Sequence, residues 1–324
     1  MKAIVYTEYG PPDVLELKDI EKPTTKDDEV LIKVQAASVT PLDWHFLTGT
    51  PYIARLMAGL LKPKYPVLGI DVAGQVEAMG ANFKQFQPGD EVFGLSFNSG
   101  AFAEYLCLPE AQMQMVCKPP SVSFEEAAAV PFAGYTALTC LRDLGQIQAG
   151  QKVLINGASG GVGTLAVQMA KSYGAEVTGV CSTRNLEMVR SIGADQVIDY
   201  TQEDFAQNEG RYDLIFDAVR KRSFSDCSRA LSPHGIYVTT AFSPSLMLQK
   251  QWVSMTGDKR LVLLPPTMRP DQELLLDLSE LLETGKVTPV IDRCYPLSEV
   301  PEALRYLGKG HARGKVVITV RGGG

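Results

Sequence analysis

The chain is poor in the residues that several common chemistries need. Histidine occurs three times in 324 residues, as His45, His234 and His311, too dispersed to suggest a metal site or a paired base. The six cysteines, Cys107, Cys117, Cys140, Cys181, Cys227 and Cys294, form no C-x-x-C pair, which argues against a zinc ribbon or a redox dithiol. Most of them are expected to be small buried thiols. No twenty-residue apolar run is present, which excludes a membrane-spanning helix, and Met1-Lys2-Ala3-Ile4-Val5-Tyr6 reads as the start of a strand rather than a signal peptide. An excess of basic charge is also missing. A net charge of −6 and a pI near 5.3 argue against a broad surface for nucleic acid or for an anionic membrane, leaving room only for a local patch. There is no internal repeat, and the one low-complexity tract is the closing Gly322-Gly323-Gly324, expected to fray. What remains is an ordinary globular composition, 45% hydrophobic and 21% charged, in a chain long enough for two domains and expected in the cytoplasm.

The most informative stretch is Val153-Leu154-Ile155-Asn156-Gly157-Ala158-Ser159-Gly160-Gly161-Val162-Gly163, continuing to Tyr173. Apolar, β-favouring residues feed a glycine-rich turn, and a helix with apolar positions at Leu165, Ala166, Met169 and Ala170 leaves it. Such a turn lets a diphosphate lie against backbone N–H groups and the positive end of the helix dipole. Against the dinucleotide fingerprint G-x-G-x-x-G the chain offers Ala158-x-Gly160-x-x-Gly163, with Gly157 just before it. A second strand follows, Glu176 to Cys181. An NAD site carries Asp or Glu at its end for the ribose 2′-hydroxyl; this chain has Ser182-Thr183-Arg184-Asn185. The guanidinium of Arg184, with hydroxyls from Ser182 and Thr183, suits a 2′-phosphate, so NADPH is expected over NADH. A second reading makes Ser182 and Thr183 a helix cap, with Arg184 solvated.

Along the chain, Lys2 to Tyr6, Leu15 to Asp19 and Val30 to Ala36 alternate as half-buried strands do. A loop and helix region with Trp44 and Tyr52 follows, then strands at Gly69 to Ala78, Glu91 to Leu95 and Ala101 to Leu108, with Pro88-Gly89-Asp90 as a tight turn. From Phe124 the spacing becomes helical. Strands at Val153 to Asn156, Val177 to Cys181, Gln196 to Ile198, Leu214 to Ala218 and Ile236 to Thr239 then alternate with helices at Thr164 to Tyr173, Leu186 to Ile192 and Phe224 to Leu231. This α/β pattern is a doubly wound parallel sheet. Arg260 to Leu264 is a late strand, Asp271 to Glu283 a helix, and Lys315 to Val320 a final strand. The stretch Ser243 to Gly257 is read as a loop.

Several stretches together resemble the zinc-independent, quinone oxidoreductase-like branch of the medium-chain dehydrogenase/reductase superfamily. They are Val39-Thr40-Pro41-Leu42-Asp43, Gly69-Ile70-Asp71-Val72-Ala73-Gly74, Pro88-Gly89-Asp90-Glu91-Val92-Phe93-Gly94, Gly100-Ala101-Phe102-Ala103-Glu104-Tyr105, Pro131-Phe132-Ala133-Gly134-Tyr135-Thr136-Ala137-Leu138, the fingerprint, and Gly314-Lys315-Val316-Val317. The resemblance implies a β-rich, GroES-like catalytic domain from residues 1–125 and 266–324, a Rossmann domain at 126–265, bound NADPH, and a homodimer joined through Arg260 to Leu264. For the cofactor it adds Thr136 at the nicotinamide ribose, Tyr200 at the adenosine end, Ala241 and Phe242 at the carboxamide, and Lys315. Zinc-dependent cousins supply Cys, His and Cys where this chain has Thr40, Ile70 and Ala129, so no catalytic metal is expected. Two departures stand out: Thr40 replaces a common Asn, and Arg220 replaces a common Gly.

Without a Lewis acid, alcohol oxidation loses its usual stabilisation of an alkoxide, whereas hydride transfer to a quinone or to an α,β-unsaturated carbonyl (an enal or enone) gives a delocalised anion. The expected pocket comprises Thr40, Trp44, Tyr52, Phe97, Phe242 and Leu264, with Thr40 and Tyr52 as the catalytic candidates and Tyr52 as proton donor or oxyanion partner, or equally as a packing aromatic. Asp43 and Asp71 read as structural carboxylates paired with Arg or Lys rather than as bases. The partner is then a small molecule, with no nucleic acid and no membrane. Alternatives are an enoyl thioester reductase, and a non-catalytic NADPH-binding protein with a regulatory or RNA-binding role.

Overall fold

The computed structural model describes every residue except 53, 98–99, 208, 220, 241–242, 257, 266–267 and 321–324, and the side chains of all but 57, 244 and 254–256 among the rest. Its contacts divide it into two compact units: Met1–Phe132 with Asp271–Glu283 and Ile291–Gly324, and Ala133–Pro270 with Thr284–Val290.

The first unit opens with β1 (Lys2–Val5) and β2 (Glu16–Asp19), an antiparallel pair, and continues with β3 (Glu29–Val39), α1 (Pro41–Thr48), α2 (Ala54–Ala58), β4 (Asp71–Met79), β5 (Glu91–Leu95), β6 (Tyr105–Pro109), β7 (Gln114–Cys117) and α3 (Phe124–Ala128). Helix α4 (Pro131–Leu138) begins at the unit boundary and runs on into a wider π-type turn, Thr139–Leu144. The second unit alternates: β8 (Lys152–Asn156), α5 (Gly161–Ser172), β9 (Glu176–Cys181), α6 (Leu186–Ser191), β10 (Gln196–Asp199), β11 (Tyr212–Asp217), α7 (Phe224–Ala230), β12 (Leu231–Thr239), α8 (Pro244–Thr256) and β13 (Arg260–Leu263). Then α9 (Gln272–Glu283), β14 (Ile291–Pro296), α10 (Val300–Gly308) and β15 (Lys315–Thr319) return to the first unit.

Strand order in the second unit is β10-β9-β8-β11-β12-β13, parallel throughout, which is the doubly wound sheet. The first unit builds a sheet in the order β14-β15-β3-β4-β5-β7, with β6 also on β3. Its core gathers Ile32, Val34, Val72, Leu95 and Ile318 from these strands, with Phe83 and Phe102 from the connections between them. The expected turn at 88–90 is present, with Gly89 at φ +97° and the Asp90 carboxylate accepting from Gln87 N at 2.8 Å.

Some expectations are corrected. Residues 243–257 are mostly helix: α8 is started by Ser243, whose Oγ accepts from Leu246 N at 3.2 Å, and by Pro244 at its first position. Proline marks loops in a sequence but is welcome in a first helical turn. The strand expected over 101–108 begins only at Tyr105, because Ala101 N and Phe102 N instead donate to Gly69 O and Leu68 O. Elements β7, β14 and α10 were not anticipated. Charged Asp292 and Arg293 mask the alternation of β14, whereas Val300, Ala303 and Leu304, all fully buried, carry a plain i, i+3, i+4 signal for α10. Three cysteines, rather than most, are buried: Cys140, Cys181 and Cys227, while Cys117 and Cys294 are exposed.

Two buried carboxylates organise the first unit. Asp71, at the start of β4, accepts from Lys315 Nζ at 3.0 Å, Phe132 N at 2.7 Å and the Ser38 hydroxyl, so three separate segments meet on one side chain. Asp43 sits at the third position of α1 in a capping box: it accepts from Thr40 N at 2.8 Å and Thr40 Oγ1 at 2.7 Å, and also from Gly69 N at 3.0 Å. Asp71 is paired with a lysine as expected. Among the described residues Asp43 is paired with no cation; hydrogen-bond donors hold it instead.

Two outcomes follow. Lys315→Met leaves Asp71 buried without its counter-charge and is expected to cost about 3–5 kcal/mol in urea unfolding, with Asp71→Asn added to it recovering part of the loss. Burial raises the Asp43 carboxyl to about 6 despite its donors. The folded chain therefore binds the proton more tightly than the unfolded one between about pH 4 and 6, and stability contributed by this group falls as pH rises through that window. A carboxyl ¹³C titration with a midpoint near the ordinary aspartate value would contradict it.

Candidate functional site

At the centre of the second unit the chain runs β8, β9, β10 to one side and β11, β12, β13 to the other, so β8 and β11 lie side by side at the point where the order reverses. Ligands of open α/β sheets bind beyond the carboxyl ends of the strands at this place. The last residues of the two strands are Asn156 and Asp217. Asp217 is fully buried; its carboxylate accepts from Asn156 Nδ2 at 2.9 Å, Tyr237 OH at 2.6 Å and Val219 N at 2.9 Å. Burial, with the neighbouring Asp217 charge second, raises the Tyr237 phenol, and burial beside Asp217 raises the Cys227 thiol to about 12, so both stay protonated. This network was missed at the sequence level. Its signal was present: a polar residue closing each of two otherwise apolar buried strands.

The fingerprint turn sits directly on it. Gly157 adopts φ +88°, and a Cβ there would meet Val219 Cγ2 at 2.4 Å. Gly157 N and Ala158 N both donate to Val180 O of β9, at 3.1 and 3.0 Å. At Gly163 a Cβ would stand 2.0 Å from Gly157 O, so this glycine exists to let α5 press against the turn. Gly160 is different. A Cβ there would meet only Gly157 O, at an ordinary 3.6 Å, so the protein's own packing does not require glycine, and the space beside the helix end is open. Gly160 is also the N-cap of α5 and offers no side chain to its first amides. Gly161, Val162 and Gly163 open the helix, where backbone N–H groups have no intrahelical acceptor, and that end suits a diphosphate.

The residues expected at the adenosine end are joined to this turn. Asn185 Nδ2 donates to Ser159 Oγ at 3.0 Å and to Ser182 Oγ at 3.3 Å, bridging the fingerprint and the end of β9. Asn185 is buried, and its Oδ1 has no hydrogen-bond partner among the described residues. Ser182 makes no capping bond to the turn it precedes, and no side chain caps α6, so the cap reading fails. The Thr183 hydroxyl donates to Asp199, which also accepts from Thr201 N at 3.0 Å; these bonds hold the Asp199 carboxyl below its usual range. Arg184 and Tyr200 are exposed nearby in sequence, Tyr200 by 57%. Thr136 is buried on α4. The chain thus has a cradle, helix-end donors and a polar flank that fit a nicotinamide dinucleotide.

Of the residues expected around the substrate, Thr40, Trp44, Tyr52 and Phe97 belong to the first unit and Leu264 to the second. Thr40 is fully buried. Trp44 is half-buried against Gly308, whose Cβ would stand 2.8 Å from its ring. Tyr52 is 76% exposed, its ring 5.1 Å from the Arg55 guanidinium. Phe97 and Leu264 are half-buried, and Leu264 N donates to Thr239 O at 3.0 Å. Lys315 is buried on Asp71. Ala241, Phe242 and Arg220 lie outside the described residues.

The positions at which zinc would be held do not fit it. Ile70 and Ala129 are buried and have no donor atom, and the Thr40 hydroxyl is engaged with Asp43. Among the described residues no group of three or more His, Cys, Asp or Glu could hold a metal ion, and no helix is long and apolar enough to cross a membrane.

Residues 26–120 match the alcohol dehydrogenase GroES-like domain, and residues 192–318 match the zinc-binding dehydrogenase family. The chloroplastic quinone-oxidoreductase QR1 of Triphysaria versicolor is 35% identical, over 98% of this chain and 98% of its own. The chloroplastic NADPH-dependent alkenal/one oxidoreductase of Arabidopsis thaliana is 35% identical, over 98% of this chain and 79% of its own. Among solved structures, the quinone oxidoreductase from Coxiella burnetii superposes with a TM-score of 0.88 at 32% identity, covering 99% of both chains. Matches of this extent at both ends, on a GroES-like unit and a doubly wound sheet with a dinucleotide cradle, place the chain in the medium-chain dehydrogenase/reductase superfamily, among the quinone oxidoreductase-like proteins.

Proposed function

We propose that the chain is an NADPH-dependent oxidoreductase that delivers hydride to a quinone or an α,β-unsaturated carbonyl without a metal. The observation that carries the reading is the space at Gly160, a glycine the protein's own packing does not need, at a helix end that favours a diphosphate. The relatives named for quinone and alkenal/one reduction supply the acceptor class.

In this reading the amides of Gly161, Val162 and Gly163 hold the diphosphate, with Ala158 and Ser159 in the turn. Ser182 and Arg184 take the 2′-phosphate, because no carboxylate closes β9 and a guanidinium is in reach of the sequence position where one would stand. Thr183 contributes less than its sequence position suggests, its hydroxyl being given to Asp199. Thr136 and Tyr200 complete the dinucleotide contacts. Bound nicotinamide supplies a hydride. On the first unit Thr40, Trp44 and Phe97 are the residues proposed to meet the acceptor, and Tyr52 or solvent supplies the proton. The domain limits 1–125, 126–265 and 266–324, a homodimer through the edge strand β13, and a cytoplasmic location belong to the same reading. The six free thiols favour a reducing compartment.

The test is NADPH consumption by the purified chain with a panel of quinones and a panel of enals and enones. Binding without turnover on either panel would favour a non-catalytic dinucleotide-binding protein, and stoichiometric zinc in metal analysis would overturn the metal-free part. Two variants probe the cofactor. Gly160→Ala is expected to weaken NADPH binding more than about tenfold while shifting stability by less than about 1 kcal/mol, since the methyl meets no protein atom closer than ordinary contact. Arg184→Ala is expected to weaken NADPH binding by about 10- to 100-fold, the worth of a charge-assisted phosphate contact, and NADH binding by less than about twofold. Equal loss for both nucleotides would remove the 2′-phosphate role.

A further inference from the structure

Large apolar side chains exposed to solvent are unevenly spread. Among the described residues twelve stand out, and four of them fall within ten positions: Tyr52 at 76%, Leu56 at 69%, Leu60 at 66% and Leu61 at 95% exposed. Single exposed leucines are unremarkable, but a cluster calls for a covering surface.

The cluster is built by its backbone. Gly59 takes φ +117°, and a Cβ there would meet Lys62 O at 2.2 Å, so the chain turns sharply and projects Leu60 and Leu61. Lys64 N donates to Ala58 O at 2.7 Å and Gly59 N to Arg55 O at 2.8 Å, closing the turn. The Tyr9 hydroxyl bonds Gly59 O, and Arg55 lies over the Tyr9 ring at 4.5 Å while its Nε donates to Gly49 O at 3.2 Å. The two leucines thus stand on a fastened platform.

Charge selects the covering surface. In a chain of net charge −6, no Asp or Glu occurs between Asp43 and Asp71, while Arg55, Lys62 and Lys64 all do. Lys62 and Lys64 are exposed on either side of Pro63, next to the leucines, and Lys64 lies 5.0 Å from the half-buried Tyr65 ring. Apolar tips, flanking lysines and aromatic rings in one segment are the composition of a surface that enters the headgroup region of an anionic bilayer. The other exposed apolar group, Met247, Leu248 and Trp252 on α8, has Lys250 but is followed by Asp258, and lacks this pattern.

We propose that the turn carrying Leu60, Leu61, Lys62 and Lys64 docks the chain on an anionic lipid surface, with Leu60 and Leu61 inserting among the headgroups and Lys62 and Lys64 meeting the lipid charge. Docking is peripheral and reversible: one pair of leucines and two lysines gives weaker attachment than a lipid chain with a polybasic run. It is independent of the reaction proposed above and adds to it access to acceptors dissolved in the bilayer.

The test is cosedimentation of the full chain with vesicles of phosphatidylcholine alone and of an equal mixture with phosphatidylglycerol. Binding is expected only to the anionic vesicles at about 0.1 M salt, and should weaken strongly at about 1 M, where the Debye length falls to about 3 Å. Leu60→Asp with Leu61→Asp is expected to lower the partition by about tenfold or more, and Lys62→Gln or Lys64→Gln by roughly fivefold each. Both leucines are solvent-exposed, so far-ultraviolet circular dichroism and melting temperature should stay as in the parent chain. Absence of binding to anionic vesicles, or binding untouched by the leucine variant, overturns the proposal. So does a leucine variant that lowers the chain's mass in sedimentation velocity, since the patch would then be a contact between copies.

Discussion

Everything in the nucleotide unit depends on two pieces of backbone approaching as closely as backbone can. The carbonyl of Gly157 occupies the place where a side chain on Gly163 would begin, so α5 can rest on the end of β8 only if residue 163 carries no Cβ. That approach aims the helix end at the switch point of the sheet, and the completely buried face Leu165, Ala166, Met169 and Ala170 keeps it there. The strand ends must hold still for the aim to matter. Asp217 does this by binding Asn156, Tyr237 and Val219 at once, and Val219 in turn packs over Gly157. A dinucleotide cradle is therefore a consequence of sheet order, one forbidden side chain and one satisfied buried carboxylate.

The first unit uses buried charge for a different purpose. Lys315 and Asp71 are 244 positions apart, and an apolar pair of the same volume would hold them together as well or better. What an apolar pair would not do is bind Phe132 N and Ser38 at the same point. The carboxylate makes β15 and β4 meet the start of α4 in one register, so the chain's last strand has a single place to return to. Lys118 does the same on a smaller scale, buried and reaching Glu91 at 3.0 Å and the carbonyl of Pro119 at 3.0 Å.

Legibility in the sequence followed these causes. Strands whose residues alternate or run apolar, such as β3 and β8 to β12, were readable because burial of a pleated face imposes the pattern. Helix α8 was not, because its amphipathic signal is weak and proline at its start resembles a loop marker. The fingerprint was readable as a spacing of glycines, yet Gly160 and Gly163 are the same letter for opposite reasons, one leaving room and the other filling none. Only the surrounding atoms separate them. Asn185 was invisible as a site residue because its bonds to Ser159 and Ser182 join loops that sequence distance does not connect. Tyr52 and Thr40 were named as candidate chemistry from their residue type, which says nothing of where the hydroxyl proton is already spent.

That last point constrains the chemistry. The single proton of Thr40 is donated to Asp43 at 2.7 Å, while the same oxygen accepts Asp43 N at 3.2 Å, so the hydroxyl is closed into its capping box. Where the family commonly carries an asparagine with two N–H donors, this chain has a group with none to spare. If Thr40 meets the acceptor as proposed, one whose negative charge stays localised on one oxygen after hydride arrives would need a strong donor at that place. A quinone or an enone spreads the charge over a conjugated system and can wait for a proton from solvent. On the proposed metal-free reading, with no donor atom on Ile70 or Ala129 to recruit a Lewis acid, conjugation in the acceptor would provide the stabilisation.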